Sequence, residues 1–157
     1  MHIRPATEAD IDAMLALEHD APGAAQWSRQ QYQSAMRVPE RRWLVIASDD
    51  EPGILGFVVA RSSGKESEIE NIVVTASARR RGLGTRLLNE VVQLARSEGA
   101  EEIFLEVRES NREARTFYEG LQFVEAGRRW DYYREPAEDA ILYRRTLAGP
   151  SKRQAVL

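Results

Sequence analysis

The sequence predicts a mixed α/β fold, a central sheet of about seven strands with helices on both faces. Three observations predict it. Leu83, Leu87, Leu88, Val91, Val92 and Ala95 recur at helical spacing, which marks one long amphipathic helix. Short β-branched and aromatic runs, such as Leu44-Val45-Ile46 and Phe57-Val58-Val59, alternate with segments of helical character. The elements come in the order β, α, α, three strands in meander, then α, β, α and two final strands, with no internal repeat.

Ile3-Arg4 opens as a short strand, and Thr7 is placed to cap a helix carrying Ile11, Met14, Leu15 and Glu18. Asp20-Ala21-Pro22-Gly23 breaks that helix, Gln26-Trp27-Ser28 starts the next element, and a second helix is expected from about Ser28 to Met36. The runs from Arg42 to Ala47 and from Ile54 to Ala60 flank Asp49-Asp50-Glu51-Pro52-Gly53 and read as a hairpin. Ser62-Ser63-Gly64-Lys65 then turns the chain into a strand from about Glu68 to Val74.

Gly99 is placed as the C-cap of the long helix, and Ile103 to Val107 form the next strand. The Ser-x-x-Glu spacing of Ser110 and Glu113 opens a helix with Ala114, Phe117, Tyr118 and Leu121 on one side. Strands around Val124 to Trp130 and Ala140 to Leu147 flank a loop from Asp131 to Asp139.

With 157 residues and 43% hydrophobic content the chain can bury one core, so residues 1–147 are expected as a single domain and 148–157 as a flexible tail. A net charge of -3 argues against general nucleic-acid binding, which shows as a broad basic excess. Absence of cysteine excludes disulfides, thiolate metal sites and a cysteinyl acyl-enzyme, so any acyl transfer would be direct. His2 and His19 have no metal-ligand spacing and read as surface residues, so no metal is expected. No window reaches the length of an apolar membrane span, and a cytoplasmic location is expected.

The run Arg79-Arg80-Arg81-Gly82-Leu83-Gly84-Thr85 falls where a strand turns into the long helix. Backbone amides and the positive end of the helix dipole favour an anion there, glycine lets a phosphate approach closely, and guanidinium forks suit phosphate oxygens. The run therefore reads as a pyrophosphate cradle or, more plainly, as a solvated basic turn. In the later strand, Ile103, Leu105 and Val107 share one face, which puts Phe104, Glu106 and Arg108 on the other. A carboxylate on such a strand is costly if buried unpaired, so Glu106 should meet a cleft, water or a cation such as a nearby arginine.

This order of motifs resembles the GNAT superfamily of acetyl-coenzyme A dependent N-acetyltransferases. That family's coenzyme motif is Arg or Gln, two variable residues, Gly, one variable residue, then Gly or Ala, and here Arg79, Gly82 and Gly84 meet it. The sequence is most similar to the bacterial ribosomal-protein-alanine N-acetyltransferase group, on Asn71 to Val74, Arg80 to Thr85, Leu105 to Arg108, Ser110-Asn111, Tyr118 to Phe123, Arg128 to Tyr133 and Glu138 to Ala140. The likeness spans about residues 3 to 147.

The resemblance implies the GNAT acetyltransferase fold, acetyl-CoA as co-substrate, and a role for each matching residue. Ile72, Val73 and Val74 would lie along the pantetheine arm, with an N–H near Val74 facing the thioester carbonyl; a fixed donor of that kind lowers a barrier by about 3 kcal/mol. Arg79, Arg80, Arg81, Gly82, Leu83, Gly84, Thr85 and Asn111 would contact the coenzyme, Asn111 also serving as a helix cap. Glu106 would be the general base and Tyr118 the general acid, although an aromatic spaced with Ala114 and Leu121 also suits a core. Trp27, Tyr132 and Tyr133 would line the acceptor, against the alternatives of a core anchor and hairpin packing.

Glu70 departs from the apolar residue often found there in the closest relatives; an extra carboxylate could assist proton removal or favour a basic acceptor. The expected partner is a protein or peptide N-terminus, including that of a ribosomal protein, with no direct nucleic acid, no membrane, and the chain a monomer or weak dimer. Two alternatives stand beside this: a GNAT enzyme acting on a small-molecule amine, and a non-catalytic acyl-CoA-binding module.

Overall fold

The computed structural model describes residues 1–21, 25–79 and 81–147. The expected tail 148–157, Arg80, and Pro22 and Gly23 of the helix breaker lie outside the described residues. Two compact units are present, one of Met1–Ser62 with Ile69–Val91, the other of Ser63–Glu68 with the chain from Val92 onward.

The first unit opens with β1 (His2–Pro5), a 3-10 turn (Glu8–Asp10), α1 (Ile11–His19) and α2 (Arg29–Met36), followed by β2 (Arg41–Ala47) and β3 (Ile54–Ser63). Thr7 caps the 3-10 turn rather than α1 itself, in a capping box closed by Asp10, whose carboxylate accepts the Thr7 N–H at 2.8 Å. Ser28 caps α2: its Oγ accepts the Gln31 N–H at 3.1 Å, and the Gln31 side chain accepts the Ser28 N–H.

Strands β1, β2 and β3 pair antiparallel in sequence, then β4 (Glu66–Val74) follows as neighbour of β3. The core of this unit is Ile11 and Met14 of α1, Tyr32 of α2, Trp43 and Val45 of β2, Phe57 and Val59 of β3, and Val73 of β4. Gly56 is required where β3 meets β4, because a Cβ there would stand 2.8 Å from the Val73 carbonyl oxygen.

The long periodic run forms α3 (Leu83–Ser97), and all six apolar residues that predicted it are buried. In the second unit the sheet order is β4, β5 (Glu102–Arg108), β7 (Ala137–Thr146), β6 (Val124–Arg134), with α4 (Arg112–Gly120) between β5 and β6 in the chain. Its buried residues include Ile103, Leu105 and Val107 from alternate positions of β5, and Tyr118, Phe123 and Tyr143, whose rings pack edge-on or tilted at 5.7 and 6.4 Å from Tyr118.

Two local expectations are corrected. The cap of α4 is Asn111, the capping role expected for it, and not the Ser110 of the Ser-x-x-Glu spacing, because Asn111 Oδ1 accepts the Ala114 N–H at 3.1 Å. Most of the expected loop from Asp131 to Asp139 is strand, β6 running on to Arg134 and β7 beginning at Ala137. The seven strands and four α-helices of the described residues give the mixed α/β class expected.

Candidate functional site

In the first unit the arginine–glycine run sits where it was expected, between β4 and α3. A 3-10 turn (Ala76–Ala78) leads to Arg79, and Gly82 adopts φ +77°, which a side chain would strain. Apart from its chain neighbours, no heavy atom of the described residues lies within 4 Å of where a Cβ on Gly82 would be, which leaves that side of the backbone open to an approaching group. The first α-helical bond of α3 runs from the Arg86 N–H to the Gly82 carbonyl at 3.0 Å, which leaves the amides of Leu83, Gly84 and Thr85 in the first turn as donors outside the ladder. The Leu83 side chain is buried and anchors this end of the helix. Immediately upstream, Val73 points into the core while Ile72 and Val74 are half-buried.

Two acceptor candidates of the first unit are engaged by charged partners. Glu70 forms a two-point ion pair with Arg41, at 2.7 and 3.0 Å, so its carboxylate is neutralised within the fold. Trp27 lies edge-on to Trp43 at 5.8 Å and tilted to Tyr32 at 5.4 Å, with the Arg41 guanidinium over its ring. It is packed against the core and remains half-buried.

The second unit gathers the titratable candidates. Antiparallel pairing of β5 with β7 and of β7 with β6 sets Gly127, Leu142 and Glu106 in one row, and Arg129, Ala140 and Arg108 two rows on, the next row of the same face. Facing residues project to the same side, so Glu106, Arg108 and Arg129 share a face. Glu106 Oε1 meets Arg129 Nε at 2.7 Å, with the Glu106 side chain 14% exposed and the Arg129 side chain 58%. Of the cleft, water or cation that the sequence allowed for Glu106, the structure shows a cation, Arg129.

Between Arg129 and Tyr133 the β6–β7 register slips, and Asp131 takes the left-handed φ of +52°. Asp139 pins this bulge: Oδ1 accepts the Asp131 N–H at 2.8 Å and Oδ2 binds Arg128 at 2.7 Å, two contacts that hold its carboxyl below the usual range. The bulge resets the alternation of β6 and brings Tyr132 to the Glu106 side. The Glu106 charge is the main reason the Tyr132 phenol titrates above its ordinary value, and the second reason, after burial, for Tyr133.

Arg108 lies 4.2 Å from the centre of the Tyr133 ring and pairs with Glu138 at 3.3 Å, while Glu138 also accepts the Ser110 N–H at 2.6 Å. Tyr118 is buried, and burial first, then the neighbouring Tyr133, pushes its phenol well above 10. Asn111 uses its carboxamide oxygen in the α4 cap, which leaves the amide NH2 as the end with donors to offer.

Sequence reasoning assigned no role to Arg129, although it stands inside the matched Arg128 to Tyr133 segment. It also passed over the buried Glu18, whose signal was visible: a carboxylate closing the stripe begun by Ile11 and Met14. Among the described residues no group of three or more His, Asp or Glu could hold a metal ion, and no helix is long and apolar enough to cross a membrane.

Comparison with known proteins places this architecture. The Acetyltransferase (GNAT) family profile matches residues 9–123. The chain is 31% identical over 135 residues to the [ribosomal protein bS18]-alanine N-acetyltransferase of Escherichia coli K12, covering 85% of this chain and 88% of that one. The crystal structure of the Escherichia coli ribosomal-protein-S18-alanine N-acetyltransferase superposes with a TM-score of 0.81 at 27% identity, over 95% of this chain and 96% of the other. Arabidopsis thaliana NAA60, solved in complex with acetyl-CoA, shares the fold at 18% identity with a TM-score of 0.82, over 94% and 99% of the two chains.

Proposed function

The chain belongs to the acetyltransferase (GNAT) family and is an acyltransferase by class, and we propose that it moves an acetyl group from acetyl-CoA directly to the N-terminal α-amino group of a protein, in the manner of the ribosomal-protein-alanine enzymes. The observation that carries this reading is Glu106, a largely buried carboxylate on a strand whose same face bears Arg129 and to which Tyr132 is brought. A basic amine is the acceptor such a carboxylate suits. The relatives that cover most of the chain are named for an alanine N-terminus, and Glu70, already neutralised by Arg41, adds no free carboxylate that would favour a polybasic small molecule.

In this reading the amides of Leu83, Gly84 and Thr85, with Arg79, Arg80, Arg81 and the open backbone of Gly82, hold the pyrophosphate of acetyl-CoA. Ile72, Val73 and Val74 run beside the pantetheine arm, and Asn111 donates from its carboxamide NH2. Trp27, Glu70, Tyr132 and Tyr133 line the acceptor. An α-amino group has an ordinary pKa near 8, so at neutral pH only modest help exposes the free amine, and Glu106 takes that proton through one water. The amine nitrogen bonds to the thioester carbonyl carbon and the carbon–sulfur bond breaks; the departing thiolate takes the phenolic proton of Tyr118 while the second proton of the attacking nitrogen restores the phenol, leaving a neutral amide and a thiol. Burial keeps that phenol protonated at working pH. The unit of function is a single domain of residues 1–147, working in the cytoplasm as a monomer or weak dimer and without nucleic acid.

Short peptides beginning with Ala or Ser are compared with a panel of polyamines, amino acids and aminoglycosides, reading release of the coenzyme thiol. Faster turnover of the peptides is expected. Faster turnover of the amines would move the assignment to the small-molecule class, and no turnover with either, together with tight acetyl-CoA binding, would make the chain a binding module.

A further inference from the structure

We propose that Arg129 is a removable cap on Glu106, holding between turnovers the place that the acceptor's ammonium takes on binding; this rests on Glu106 being the general base. The sheet makes the arrangement available. Gly127, in the same row as Glu106, has no side chain to reach it, so the cation comes from the next row of the same face, where Arg129 crosses over Ala140. The second arginine of that row is committed elsewhere, since Arg108 donates to the Pro136 carbonyl, pairs with Glu138 and lies on the Tyr133 ring. Arg129 instead bonds Glu106 and lies 5.6 Å from the centre of the half-exposed Tyr132 ring.

The two ends of the pair differ in a way that decides which one moves. Glu106 is 14% exposed and cannot stand without a partner, whereas Arg129, at 58%, loses little by swinging into water. An arriving ammonium, with the water that carries its proton to Glu106, fills the vacated place and supplies the replacement charge. Once the nitrogen is acetylated it is a neutral amide; Glu106 releases its proton to water, and the guanidinium returns to the carboxylate as the product leaves. Arg129 is thus a specificity-determining residue that admits cationic acceptors and favours release of neutral products.

Arg129→Ala is compared with the parent on a peptide beginning with Ala. The acceptor KM is expected to fall about fivefold, the equivalent of an exposed ion pair of about 1 kcal/mol, while the KM for acetyl-CoA stays in place. Millimolar guanidinium should then compete with the peptide in the variant more strongly than in the parent. An acceptor KM that holds or rises, or guanidinium acting equally on both proteins, overturns the proposal. Arg129→Gln serves if the alanine variant does not fold. Glu106→Gln run in parallel separates the two failures: turnover that survives it removes the base itself, and the cap with it.

Discussion

Glu18 of α1 accepts a hydrogen bond from Nδ2 of Asn71 in β4 at 2.5 Å, and its second oxygen accepts the Trp27 N–H at 3.0 Å. One buried carboxylate therefore ties α1 to Trp27 and to the strand that continues into Ile72–Val74. Burial raises its pKa above the ordinary carboxylate value against these hydrogen bonds, and the Tyr32 hydroxyl beside it is buried without meeting hydrogen-bond geometry.

A raised carboxyl pKa sets the sign of the pH effect. The folded protein holds this proton more tightly than the unfolded chain, so the contribution of Glu18 is fully present below the unfolded pKa and is lost as pH rises through the folded value. Glu18→Gln can keep both contacts if the Asn71 amide turns over, and it carries no charge. Its melting temperature should gain on the parent as pH rises from about 4 to about 7. Glu18→Ala leaves the Trp27 N–H and the Asn71 amide without an acceptor and should cost about 2–4 kcal/mol. Parallel melting curves for parent and Gln variant across that range would contradict this account.

Asp10, at the start of the same helix, carries the opposite signature. The Arg4 guanidinium binds it at two points, each 2.9 Å, and with the Thr7 N–H holds its carboxyl below the usual range. Its stabilisation is present above the unfolded pKa and disappears as pH falls through the folded one. Asp10→Asn is expected to cost about 1–2 kcal/mol at neutral pH and progressively less on acidification, read from denaturant midpoints.

Gly82 and Gly56 are glycines for different reasons, and substitution separates them. Alanine at Gly82 meets no neighbour but strains a φ of +77°, so folding should weaken by about 1–2 kcal/mol. If the coenzyme phosphates approach this backbone, the KM for acetyl-CoA should rise about tenfold or more, which corresponds to about 1.4 kcal/mol of binding. Alanine at Gly56 would collide with the Val73 carbonyl and should lower stability by about 1–3 kcal/mol. A coenzyme KM untouched by Gly82→Ala would remove the phosphate cradle from the scheme.

The strands and α3 were legible because period two and period 3.6 are written locally in the apolar residues. The α4 cap was legible at Asn111 but offered at Ser110 as well, because both are competent caps and only the backbone decides between them. The continuation of β6 was hidden for another reason. Polar and aromatic residues from Asp131 onward look like a loop, yet an edge strand with a pinned bulge tolerates them. The same bulge changes which side chains share a face, so the meeting of Tyr132 with Glu106 could not be read from alternation. Glu18 with Asn71 and Glu106 with Arg129 are pairs across distant stretches of chain, where no local period speaks.

Glu106→Gln and Tyr118→Phe decide whether these two side chains carry chemistry. Glutamine keeps the size of Glu106 and removes the proton acceptor, so kcat on a peptide should fall about 10²–10⁴-fold, with the melting temperature little changed because Arg129 already stands largely in water. Tyr118 packs at 5.7 Å from Phe123 and 6.4 Å from Tyr143. Phenylalanine keeps that ring and removes only the hydroxyl, so the two roles of Tyr118 come apart. If the hydroxyl protonates the departing thiolate, kcat drops while stability holds or rises; if Tyr118 is a core residue alone, kcat does not move. The first outcome is expected, because a buried phenol in an aromatic cluster keeps a hydroxyl at a cost in desolvation that packing by itself does not repay.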